Sequence, residues 1–229
     1  MPPPPVDPLL VKGWLSARSV ARGFPAPVPD HGGLRVDTAL PNETRRHVFA
    51  YPTDGLRELA KAVSLPRIFI KLCGSTEELR ALVPPRWQIQ SASYMMTYEG
   101  EIGGQVQLPA GYRIEVSKAG SVTAARILAA GDDIAASGFA AELDGVFIYD
   151  RIVTDAAHRR QGLGRAIMAT LGSARNSSAS KQVLVATEDG RRLYSSLGWT
   201  IHSPYATAVI PIHGDEQDYP GTVIISPNC

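Results

Sequence analysis

Residues 152–164 read IVTDAAHRRQGLG, and the reading of this stretch decides the fold. An apolar run passes into a turn, and Gly162 and Gly164 then open a segment of helical character, RAIMATLGSARN. Glycine costs roughly 1 kcal/mol relative to alanine inside a helix, so the backbone here must do something that a side chain would obstruct. A strand, a short loop and a helix start make an anion site. The first backbone N–H groups of the helix lack partners within it, the helix dipole is positive there, and glycine lets a phosphate approach without meeting a Cβ.

Three phosphate-binding patterns compete for this loop. A P-loop needs G-x-x-x-x-G-K-[ST], and no lysine or hydroxyl residue directly follows Gly164. A dinucleotide fingerprint needs G-x-G-x-x-G, but its third position is Ile167 and no acidic residue follows before Glu188. The third pattern, [R/Q]-x-x-G-x-[G/A], is matched by Arg159-Arg160-Gln161-Gly162-Leu163-Gly164.

The flanking order narrows the choice. YRIEVSKA, VTAARILAA, IAASGFAAEL and GVFIYDRIVT read as strands separated by turn residues in KAGS, GDD and LDG, as in an antiparallel meander. The loop and its helix follow, then QVLVAT (182–187), a helix around RRLYSSLG, and two further strands, WTI and YATAVIPI. A helix joining two strands asks for a parallel pair inside a mostly antiparallel sheet. LVATEDGRRLYSSLGW adds a second signature, with Tyr194 four residues before Gly198.

With both signatures in this order, the sequence resembles the GNAT superfamily of acetyl-CoA-dependent N-acetyltransferases. The resemblance spans roughly residues 112 to 210 and is strongest from Phe147 to Trp199. It implies an α/β (α+β) fold with a mixed, mostly antiparallel sheet flanked by helices, residues 106–229 forming the acetyltransferase domain. It implies acetyl-CoA as cosubstrate, its pantetheine arm paired with the backbone at Ile152, Val153 and Thr154. The segment Arg159, Arg160, Gln161, Gly162, Leu163, Gly164 and Arg165 would cradle the pyrophosphate through backbone amides, with Arg160 and Arg165 adding charge. A solvated helix edge is the plainer reading of those arginines. Thr187 stands where many members have asparagine and could bond the arm, and Gly190 stands where they have alanine.

Thioester aminolysis needs a neutral amine, a stabilised oxyanion and a protonated leaving thiolate. By the resemblance, the backbone near Val153 polarises the carbonyl and Tyr194 is the general acid; its plainer role is an aromatic anchor. Asp150 is the first candidate base, Glu188 the second and Glu142 the third, with a water relay as substitute. The plainer reading of Asp150 is a salt bridge to an arginine.

Residues 1–8 form a proline-rich lead-in, and residues 9–105 an α/β region on the substrate side. From Leu9 to Ala21 the chain reads as a helix with Leu10, Trp14, Leu15 and Val20 near one face. LRVDT and RRHVFAY read as a strand pair. Asp54 is placed to cap the helix DGLRELAKAV, RIFIKLC is an interior strand, and Ser75 with Glu78 has capping-box spacing ahead of TEELRALV. Too few residues separate the first two strands of the meander for the family's two early helices. The amino-terminal half either supplies them or is a degenerate domain of similar fold. In both cases the acceptor pocket is expected where the pieces meet.

The composition is that of a globular protein, 44% hydrophobic and 20% charged, with net charge +1. That charge gives no reason to expect nucleic acid or a membrane as partner. Only Cys73 and Cys229 occur, so a disulfide framework is not expected; with no leader-like start, a reducing cytoplasm is. His31, His47, His158, His202 and His213 show no metal-ligand spacing with them, and no metal is expected. The activity that follows is transfer of acetyl from acetyl-CoA to a primary amine of a small molecule in a ternary complex. A non-catalytic acetyl-CoA-binding sensor or scaffold, and a protein or peptide N-acetyltransferase, are the alternatives. A homodimer is left open.

Overall fold

The computed structural model describes residues 6–100 and 107–212, so His213, Cys229 and most of the lead-in lie outside the described residues. Helix α1 (Pro8–Arg22) starts at Asp7, whose side chain accepts from Leu9 N, and carries proline at a position that needs no N–H donor. Leu10, Trp14 and Leu15 are buried, whereas Val20 is 42% exposed. At 3.6 residues per turn, Val20 lies about 140° around the helix from Leu15.

Next come β1 (Val28–Asp30), β2 (Gly33–Asp37), β3 (Arg45–Phe49), α2 (Asp54–Ala62), β4 (Ile68–Leu72), α3 (Thr76–Leu82), β5 (Gln88–Ile89) and β6 (Ser93–Tyr98). Strands β2 and β3 are the antiparallel pair read from LRVDT and RRHVFAY. Helix α2 is capped by Thr53 rather than Asp54, because the Thr53 hydroxyl accepts from Leu56 N at 3.0 Å and Asp54 becomes the first helical residue. The capping box of α3 forms as spaced: Ser75 Oγ accepts from Glu78 N at 3.1 Å, and the Glu78 carboxylate accepts from Ser75 N at 2.7 Å.

The second half runs β7 (Arg113–Ala119), β8 (Val122–Leu128), β9 (Ile134–Leu143), β10 (Val146–Thr154), α4 (Leu163–Gly172), β11 (Lys181–Thr187), α5 (Glu188–Ser196) and β12 (Thr200–Val209). Strands β7 to β10 form the antiparallel meander, and β10 pairs with β11 in parallel. WTI and YATAVIPI belong to a single strand. It continues through Pro204 because β12 changes partner: residues 200–205 pair with β6, and residues 206–209 with β4.

That change of partner joins all strands into one sheet, in the order β1-β2-β3-β4-β12-β6-β11-β10-β9-β8-β7, with β5 on β12. Strand β6 therefore lies inside the sheet, between β11 and β12, and the two halves of the sequence share one sheet. Side chains of β10 alternate between its faces. Val146 and Ile148 enter the core around Trp14 and Leu15 of α1, while Phe147 and Tyr149 enter the core around Ile167 and Leu171 of α4. A third core, around Leu56, Ile70, Leu79 and Trp87, packs α2 and α3 on the amino-terminal strands. Among the described residues, no helix is long and apolar enough to cross a membrane.

Candidate active site

Strands β10 and β11 stay paired only from Val146–Ile148 to Lys181–Val183. Beyond that point β10 bulges against β9 between Asp150 and Val153, with Arg151 at φ +53°. A bulge inserts an extra residue and bends its strand. On the α4 side lies a cleft of about 640 Å³. Ile152, Val153 and Thr154 of β10 line it, as do Arg159, Arg160, Gly162, Leu163, Gly164 and Arg165 of the loop and α4. Thr187, Gly190, Leu193 and Tyr194 complete the wall from β11 and α5. Of the residues expected to meet acetyl-CoA, Gln161 alone is absent from this lining.

The two glycines have different tasks. Gly162 is the N-cap of α4 at φ +78°, a left-handed conformation that favours glycine, and no side chain caps the helix. Its carbonyl accepts from Ala166 N at 3.0 Å. The N–H groups of Leu163, Gly164 and Arg165 precede that bond, so they have no acceptor within the helix and stand at the cleft wall. Gly164 supplies closeness: a Cβ there would lie 3.2 Å from Leu193 Cδ2 of α5.

Thr187 caps α5, its Oγ1 accepting from Gly190 N at 3.2 Å, which leaves the hydroxyl proton available to donate. Tyr194, buried on α5, folds back over the first turn of its own helix. A Cβ at Gly190 would sit 3.3 Å from Tyr194 Cε2, which is a physical reason for glycine at this position. The ring also meets Trp199, with centroids 6.2 Å apart.

The candidate carboxylates are all engaged. By strand alternation Asp150 points to the α1 face, where Arg22 donates to it at 2.6 and 2.8 Å and Arg18 at 3.4 Å. Burial pushes its carboxyl up, but Arg18, Arg22 and Arg151 override this and hold it below its ordinary value. Glu188, off the cleft wall, accepts from Arg191 and Tyr94, and these bonds hold it down at about 2. Glu142 accepts from Asn176 N at 2.6 Å, Ser177 N at 3.1 Å and Ser180 Oγ at 2.6 Å, tying down the segment before β11. Among the described residues, no group of three or more His, Cys, Asp or Glu side chains is placed to hold a metal.

A small cavity of about 20 Å³ lies next to the cleft and shares Tyr149, Val185, Ala186 and Thr187 with it. Arg18 of α1, Lys71 of β4 and Tyr205 of β12 line it together with Asp150. The sequence reading missed this convergence. The available signal was a lysine inside RIFIKLC, a stretch otherwise suited to a sheet interior.

A family model described as the acetyltransferase (GNAT) domain matches residues 123–201. This part of the chain is similar to a GNAT acetyltransferase domain. The match takes in the meander from β8 onward, the glycine loop, β11, α5 and the start of β12, but not α1. Arg18 and Arg22 thus reach Asp150 of the matched region from outside it. No curated protein matches the chain. Among solved structures, it resembles a GCN5-related N-acetyltransferase from Kribbella flavida, at 17% identity and TM-score 0.60, over 86% of this chain and 94% of that one. It also resembles a GNAT-family protein from Novosphingobium aromaticivorans, at 15% identity and TM-score 0.56, over 89% and 97% of the two chains. At these identities the likeness is one of fold, and it extends beyond residues 123–201 into the amino-terminal half.

Proposed function

We propose that the protein is an N-acetyltransferase that moves the acetyl group of acetyl-CoA to a primary amine of a small molecule in a ternary complex. One observation carries this reading: a single cleft is walled both by the uncapped amino terminus of α4 and by the Tyr194 side chain. The first suits an anionic pyrophosphate, and the second a leaving thiolate that needs a proton. Acetyl-CoA supplies an activated thioester, whose C–S bond gives way to a C–N bond to the acceptor.

In this reading the amides of Leu163, Gly164 and Arg165 hold the pyrophosphate, and Arg159, Arg160 and Arg165 add positive charge. The backbone at Ile152, Val153 and Thr154, freed from parallel pairing, aligns the pantetheine arm, with Thr187 as a hydroxyl donor. The amide of Val153 stabilises the oxyanion, and Tyr194 Oη gives its proton to the departing sulfur. Asp150 and Glu188 are left out of base duty, because arginines hold both ionised and occupied. Water takes the amine proton instead.

The test is release of CoA thiol from acetyl-CoA against a panel of small amines, with Tyr194→Phe as the variant. The expected result is turnover in the wild type and a kcat lower by about 100-fold in the variant. Acetyl-CoA binding by calorimetry without turnover would instead identify a sensor. Absence of binding would overturn the assignment of the cleft.

A further inference from the structure

The small cavity beside the cleft is a built, positively charged site. Arg18, Lys71 and Asp150 line it, and Arg22, Arg46 and Glu43 lie behind this lining, near enough to act on Lys71. Arg46 is paired with Glu43, and Arg22 grips Asp150 through two hydrogen bonds. Arg18 is only the second, longer partner of Asp150, at 3.4 Å. Lys71, 3% exposed, donates to a neutral group, the Thr207 hydroxyl, at 3.4 Å. Tyr205 is 4% exposed, and its hydroxyl has no hydrogen-bond partner among the described residues.

Such an arrangement is costly unless something else completes it. A buried cation without an anion, and a buried hydroxyl without a partner, each carry an unrecovered desolvation cost. Burial, helped by Arg46, Arg18 and Arg22, pushes Lys71 down to about 7 despite Glu43, and burial lowers Arg18 to about 10. A small anion accepting from Arg18, Lys71 and Tyr205 relieves all three groups at once.

The size of the cavity narrows the anion. A water needs roughly 10–15 Å³ of such space, so about 20 Å³ admits one small polar group but not a whole substrate. The remainder of the molecule must lie outside, and the cavity shares the residues from Val185 to Thr187 with the cleft that holds Tyr194. We propose that the acceptor is an amino acid, its carboxylate seated against Arg18, Lys71 and Tyr205 and its amine directed into the cleft. This rests on the acetyltransferase reading of the cleft. It makes Lys71, Arg18 and Tyr205 specificity residues, with no part in the proton transfers.

The experiment compares the standard amino acids with their carboxamides as acceptors, by CoA thiol release from the full chain. At least one acid is expected to exceed its amide by about 100-fold in kcat/KM, since the amide brings no charge to the site. Lys71→Met is expected to raise KM for that acid by about 10-fold or more, and Tyr205→Phe to raise it less. Acetyl-CoA affinity by calorimetry stays unchanged in both variants. If amides serve as well as acids, or if both variants keep the wild-type KM, the carboxylate site is refuted while the acetyltransferase reading stands. If the protein neither binds acetyl-CoA nor releases thiol, that reading fails, and the cavity is judged alone by calorimetry with acetate and the same amino acids. Binding by the wild type that is lost in Lys71→Met then supports the site, and absence of heat in the wild type overturns it.

Discussion

Arg22, on the last turn of α1, closes on Asp150 of β10 through two hydrogen bonds at 2.6 and 2.8 Å, both side chains being almost fully buried. A helix outside the matched GNAT residues thereby neutralises a carboxylate at the bulge where the cleft begins. Removing one partner of a buried pair leaves an uncompensated charge, at a cost of about 3–5 kcal/mol. Because Arg18 and Arg151 stay against Asp150, Arg22→Met is expected to lose less than this, about 1.5–3 kcal/mol in urea unfolding at pH 7, and Asp150→Asn Arg22→Met to recover part of it.

The same pair sets an acid limit. The folded carboxyl of Asp150 is held below its ordinary value of 3.8, so its contribution is present above that pH and is lost as pH falls below it. The stability gap between the wild type and Asp150→Asn is expected to narrow at about pH 4 and below. Urea titrations at fixed pH values measure it; a gap constant to pH 3 would show that Asp150 is not an ion-paired carboxylate.

Lys71 acts with the opposite sign. Its folded value, about 7, lies below its ordinary value of 10.5, so between those pH values the unfolded chain binds a proton that the native state has released. Stability gains from this residue as pH rises through that window. Relative to Lys71→Met, the wild type is expected to become more stable between pH 7 and pH 9, at about 1 kcal/mol or more per pH unit. Parallel curves for the two proteins would contradict the burial of this lysine.

Gly162 carries a backbone conformation that costs other residues about 1–2 kcal/mol. Gly162→Ala is expected to lose about that much stability. If its loop holds the pyrophosphate, acetyl-CoA affinity falls by about 10-fold, equivalent to one hydrogen bond to a charged group. Thermal unfolding and calorimetry read the two effects separately.

Gly190→Ala places two effects in competition. Alanine favours the helix by roughly 0.5–1 kcal/mol, while its Cβ, 3.3 Å from Tyr194 Cε2, presses on a ring backed by Trp199. Stability is expected to change by less than about 1 kcal/mol, with kcat reduced and the KM for acetyl-CoA retained. An unchanged kcat would separate Tyr194 from the chemistry.

Much of the architecture was legible along the chain. Each strand of the meander is bounded by turn residues, the S-x-x-E spacing at Ser75 and Glu78 closed into its capping box, and the glycine loop opened α4. These are local signals, decided by backbone conformation and hydrogen bonds within a few residues. Errors came where local options were nearly equal or where a distant partner chose. Thr53 and Asp54 both cap well, and only the geometry made Thr53 the cap. WTI and YATAVIPI read as two strands but form one, whose Pro204 is tolerated because β12 exchanges β6 for β4 beside it.

The site divides in the same way. Gly162 and Gly164 could be named from spacing, and Thr187 and Tyr194 from the family resemblance; a strand, a turn and two helices carry them to one wall. The environment of Asp150 could not, since its arginines come from a helix more than a hundred residues earlier. The sequence by itself determined the meander, the glycine loop and the αβα unit that follows it, since turn propensity and periodicity are properties of neighbouring residues. Only the tertiary structure decided that Asp150 belongs to Arg22 and that Arg18, Lys71 and Tyr205 share one cavity. Charge pairing and desolvation depend on distance in space, and the order of strands in the sheet sets that distance.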